Sequence, residues 1–75
     1  MSLVVKRSVA IRGHRTSISL EQPFFDALGE IAVKRAISVA SLIGEIDDTR
    51  PRNSNLSSAI RVYVLERYRK DRADG

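Results

Sequence analysis

The chain has 75 residues and no cysteine, which allows one small domain and excludes disulfide staples and thiolate metal sites. Its net charge is +4, from 13 basic and 9 acidic residues, with a sequence pI near 10.1; such a balance favours phosphate polymers or anionic surfaces. No apolar run approaches the ~20 residues that span a bilayer, and a core this small is marginal alone, so oligomerisation is the expected source of further buried area.

Residues 1–13 are basic and weakly apolar, and Gly13 punctuates them. Lys6, Arg7, Arg12 and Arg15 all precede the first acid. Leu3-Val4-Val5 is cut off by Lys6-Arg7, so the apolar stretch of a secretory signal is not formed, and a cytoplasmic protein is expected. This segment is expected to be a basic N-terminal arm, with residues 14–75 forming the folded domain. Val9 and Ile11 allow a second reading, in which they extend a strand across Gly13.

His14-Arg15-Thr16-Ser17-Ile18-Ser19-Leu20 alternates with period 2 and reads as a short strand. Arg15, Ser17 and Ser19 fall on one face, with Thr16, Ile18 and Leu20 on the other. A lone strand leaves its N–H and C=O groups unpaired. The economical partner is the same strand from a second chain. The resulting antiparallel ribbon would carry two copies of Arg15, Ser17 and Ser19 on one face, and a two-stranded ribbon fits the DNA major groove.

Pro23 suits a first helical turn, and Phe24, Leu28 and Ile31 follow at i, i+4, i+7, flanked by Phe25 and Ala32. The spacing predicts a helix from about Gln22 to Arg35. Ala36-Ile37-Ser38 breaks it in a tight turn. Ser38 is a candidate N-cap for a second helix, about Val39 to Asp47, whose stripe is Val39, Leu42, Ile43 and Ile46. Residues 48–53 form a polar loop, since Pro51 disfavours helix at Arg50. A third helix starts near Asn55, capped by Ser54 or Asn53, and runs to about Lys70. Its stripe of Leu56, Ile60, Tyr63 and Val64 is widened by Ala59, Val62 and Leu65, so it must touch more than one neighbour. The cations Arg67, Arg69, Lys70 and Arg72 suit its C-terminal end.

Arg15-Thr16-Ser17-Ile18-Ser19-Leu20, a helix, and Ile37-Ser38-Val39-Ala40-Ser41 opening a second helix resemble the ribbon-helix-helix (MetJ/Arc fold) DNA-binding family. With Gly13-His14, Ile46-Asp47 and Asn55-Leu56-Ser57-Ser58-Ala59-Ile60-Arg61, the likeness extends to a bacterial subgroup. The resemblance implies a mainly α fold with one short strand, dimerised into an intertwined pair around a two-stranded antiparallel ribbon, with a third helix added. It implies base reading by Arg15, Ser17 and Ser19, and a backbone phosphate at the amides around Ser38, Val39 and Ala40. A free helix N-terminus is an anion site on physical grounds as well. Arg15 offers a bidentate fork to guanine, whereas the two serines discriminate weakly. Lys6, Arg7, Arg12 and His14 are candidate phosphate contacts.

The lone His14 has no cysteine or carboxylate cluster beside it, so no metal site is expected. Nor is a glycine-rich phosphate loop, a nucleophile elbow or a convergent titratable group present. The expectation is a non-enzymatic, cofactor-free, sequence-specific DNA-binding homodimer, a transcription regulator of double-stranded DNA, able to assemble further on DNA. The alternative is a dimerisation and protein-interaction module that recruits a protein partner through the C-terminal helix and binds DNA weakly or not at all.

Overall fold

A computed structural model describes residues 3–74. The order is strand β1 (Val4–Ile11), strand β2 (His14–Glu21), then helices α1 (Gln22–Arg35), α2 (Val39–Thr49) and α3 (Leu56–Asp74). Met1, Ser2 and Gly75, the extremes of the expected arm and domain, lie outside the described residues.

The partner of β2 comes from its own chain. β1 and β2 pair antiparallel as a hairpin, from Val4↔Glu21 to Ile11↔His14. This corrects the sequence expectation of a single strand per chain, because most of the expected basic arm is a strand. The two-residue connection Arg12-Gly13 has positive φ at both positions, 50° and 80°. Positive φ at both is the signature of a type I′ turn, whose twist matches that of the flanking strands. Arg12 occupies a left-handed conformation that costs a non-glycine residue about 1 kcal/mol. It is held there by donating to the Gly44 carbonyl at 2.8 Å and by pairing with Asp48.

Directly opposed residues of an antiparallel pair share a face. Val5, Val9, Ile11, Thr16, Ile18 and Leu20 therefore point inward; Ile18 and Leu20 are fully buried and Ile11 nearly so. Arg7 breaks this row. It stands over the Phe25 ring, 4.9 Å from its centroid, and donates to the Gln22 side chain at 3.0 Å.

The helices cover the inner face. α1 buries Ala27, Leu28, Ile31 and Ala32, and α2 buries Leu42, Ile43, Gly44 and Ile46. Ala36 ends α1 at φ 57°, and its N–H reaches the carbonyls of Ala32 and Val33. The Ser38 hydroxyl caps α2 by accepting from the Ser41 N–H at 3.0 Å. The loop after α2 is tied by Arg50, which donates to Asp47 at 2.7 Å and to the Ser54 carbonyl.

The cap of α3 differs from expectation. Asn55 does the capping, its Oδ1 accepting from the Ser58 N–H at 3.2 Å. Ser54 is unavailable because its hydroxyl and its N–H both turn back to the Pro51 carbonyl. α3 lies along α1, with Arg61 beside Phe24 and Tyr68 beside Glu30. Ile60 and Val64 join the core. Val62 and Leu65, expected to pack, are more than half exposed.

Candidate nucleic-acid interface

The outer face of the hairpin is built by the same alternation that fills the core. Lys6 faces Ser19, Ser8 faces Ser17, and Ala10 faces Arg15. Ser19 is half-buried and the other five residues are exposed. Arg15, Ser17 and Ser19 thus share one face, with Ile18 and Leu20 buried on the other. Among the described residues the ion pairs engage Arg12, Arg35, Arg50 and Arg61 and leave Lys6 and Arg15 out. The face therefore offers two unengaged cations separated by small hydroxyl side chains. Such a surface can approach a groove closely and donate to acceptors on base edges.

The other expected contacts separate into distinct groups. Arg7 and Arg12 are committed to internal partners, Phe25 and Gln22 for the first and Gly44 and Asp48 for the second. His14 is exposed at the end of the hairpin, opposite Ile11 and on the inner side of the register. The start of α2 lies beside that hairpin end. A groove lined by Ala10, Ile11, Arg12, Ala40, Ser41 and Gly44 connects them. By helix geometry the Val39 and Ala40 amides have no intrahelical acceptor. Ser38 contributes its hydroxyl to the cap. Glu45 and Asp48 also line the groove; Arg35 meets the first at 2.8 Å and Arg12 meets the second.

Farther away, Arg61 donates to Glu21 at 3.0 Å and holds that carboxyl below its usual range. This bond fastens the end of the ribbon to α3. The Arg35 guanidinium is raised, first by its bond to Glu45 and then by Tyr63. Tyr68 is raised mainly by desolvation, with the charge of Glu30 adding to it. Of these groups, Glu21 stands in the outer row of the register at the end of the ribbon, opposite Val4, and the others lie on the helices. Among the described residues no group of three or more His, Cys, Asp or Glu side chains could hold a metal ion, and no helix is long and apolar enough to cross a membrane.

Ser8 and Ala10 were not legible as members of this face. The one signal for them was Gly13, a turn residue two positions beyond Ile11, with the apolar Val9 and Ile11 alternating before it.

The sequence matches the ribbon-helix-helix domain family over residues 4–68. That span includes both strands, α1, α2 and most of α3, and the chain belongs to this family. Domains of the family generally bind DNA as transcription regulators, typically as dimers. No curated protein and no solved structure matches the chain.

Proposed function

We propose that this protein is a sequence-specific DNA-binding homodimer that regulates transcription by inserting its β-ribbon into the major groove. The observation that carries this reading is the outer ribbon face, where Arg15, Ser17 and Ser19 stand together on the side opposite the core. Arg15 would bind guanine O6 and N7, with Ser17 and Ser19 as less selective donors. The Ser38, Val39 and Ala40 turn would meet a backbone phosphate, favoured by the helix dipole and by free amides. His14, at the exposed hairpin end beside that turn, would contact phosphate from the same side. In this reading the protein is a non-enzymatic, cofactor-free regulator of the bacterial cytoplasm.

The second protomer is the occupant proposed for the open apolar groove between α1 and α3. Phe24, Val62, Leu65 and Tyr68 line it; the family's members are typically dimers, and these apolar side chains are suited to contact a second copy. Leu65→Asp should lower the sedimentation mass from dimer to monomer while the chain stays folded. A wild-type chain that is monomeric at every concentration, yet pulls down one defined protein through this groove, would support the interaction-module alternative.

The direct test is selection of bound duplexes from a random pool by the full chain. An enriched motif, bound more tightly than scrambled DNA at one fixed salt concentration, is the expected result. Equal retention of all sequences would contradict sequence reading.

A further inference from the structure

We infer that the groove between α2 and α3 is a binding site for a small organic cation, an amine carried on an apolar body. The site lies on the helices, away from the ribbon, and does not depend on the DNA-binding reading.

The groove follows from the sizes of neighbouring side chains. On α3, Ala59 offers only a methyl group one turn before the large Tyr63, so a hollow opens beside it. Ile46 of α2 lies across from it, and Pro51 in the connecting loop closes one end. Ile46 is buried and Ala59 half-buried, which makes the floor apolar. The hollow holds about 430 Å³, within the range of roughly 300–1,000 Å³ typical of small-molecule sites. Such sites pair an apolar floor with a few polar groups that select the ligand.

Most of the polar side chains around this groove are already engaged. The Thr49 hydroxyl lies within hydrogen-bond distance of the Glu45 and Ile46 carbonyls, and the Ser54 hydroxyl donates to the Pro51 carbonyl. Arg50 donates to Asp47 at 2.7 Å and to the Ser54 carbonyl, so its charge is balanced inside the wall. Glu66 differs. It lines the groove, is exposed, and enters none of the ion pairs among the described residues. Lys70, one turn further along α3, is not paired with it either. The uncommitted charge at the groove is therefore negative.

That charge decides between ligand classes. An apolar body would displace water from Ile46, Pro51 and Ala59, and an ammonium group would meet the Glu66 carboxylate. Tyr63 stands three residues before Glu66, a neighbour on the helix surface, so the cation would also lie near its ring, a favourable position. A carboxylate ligand would face Glu66 and Asp47 with Arg50 already occupied. The groove on the other side of α3 has no acid in its lining. Val62 forms the ridge between the two, and only the α2 side carries the selecting charge.

The test is a titration of the full chain with phenethylamine, phenethyl alcohol and phenylpropionate, following the methyl resonances of Ile46 and Ala59. The three probes share an aryl body and differ in the charge of the head. Saturable shifts are expected, with the amine bound roughly two- to fivefold more tightly than the alcohol and the carboxylate bound most weakly. Glu66→Gln should bring the amine down to the affinity of the alcohol. Ala59→Leu fills the floor and should weaken all three probes together. Glu66→Gln changes an exposed residue and keeps the test decisive if Ala59→Leu fails to fold. No saturable shift, equal binding of amine and carboxylate, or an amine preference untouched by Glu66→Gln would overturn the inference. Shifts of the same methyls with protein concentration alone would assign the groove to a second copy and overturn it as well.

Discussion

The two faces of the hairpin are made from alternate residues of the same two strands, yet they are under different constraints. On the inner face Ile18 and Leu20 are buried to about one per cent exposure or less, and any loss of volume there must be felt by the surrounding core. On the outer face Lys6, Ser8, Arg15 and Ser17 are exposed. In the proposed reading, the contrast makes stability and recognition separable in this protein at a spacing of one residue. A substitution on either face should disturb one property and spare the other.

The inner side should respond most. Ile18→Ala or Ile60→Ala removes a fully buried side chain and should cost ~2–5 kcal/mol in chemical denaturation. A cost below about 1 kcal/mol at both sites would mean that the core is not packed as described. The next effect sharpens the role of caps in holding the helices under the ribbon. Asn55→Ala should cost about 1 kcal/mol, whereas Asn53→Ala should cost almost nothing. The reverse order would move the cap of α3.

A gain of about 1 kcal/mol is expected from Ala36→Gly, because glycine adopts the left-handed conformation at the end of α1 without the Cβ penalty. The rise should appear in the thermal midpoint, and a fall would show that the turn is not left-handed. A smaller effect is expected at the Glu21–Arg61 bond, which joins ribbon to α3. The Glu21 pKa is lowered, chiefly by its hydrogen bond to Arg61. Its contribution is therefore present above the ordinary carboxylate range and lost as pH falls through the lower folded value. Denaturation midpoints followed into acid should show this loss in the wild type and not in Glu21→Gln.

The sequence made one face of the hairpin legible and concealed the pairing of β1 with β2 within the chain. β2 was readable because Ile18 and Leu20 alternate cleanly with Ser17 and Ser19. β1 was harder, since Arg7 takes an inward position where an apolar residue is expected, and its stacking on Phe25 depends on a contact across the fold. The intramolecular role of Arg12 was hidden for a similar reason. Its partners within the chain, Gly44 and Asp48, are more than thirty residues away, and no local pattern announces them. The helices were legible from their apolar stripes, with ends shifted by a few residues. The cap of α3 lay among Asn53, Ser54 and Asn55, all capable of capping, and was decided by the Pro51 carbonyl engaging Ser54.

The central claim is that the outer face recognises DNA bases without supporting the fold, and Arg15 tests it most directly. The measurement is a competition titration of wild type and Arg15→Ala against the selected duplex and a scrambled one at a single salt concentration, with thermal melts of both proteins. The melts should coincide. Affinity for the selected duplex should fall by ~1–3 kcal/mol, the usual worth of a bidentate base contact, and affinity for scrambled DNA should fall less. An equal loss on both duplexes would make Arg15 a phosphate contact, and an unfolded variant would place it in the core; either result contradicts the account.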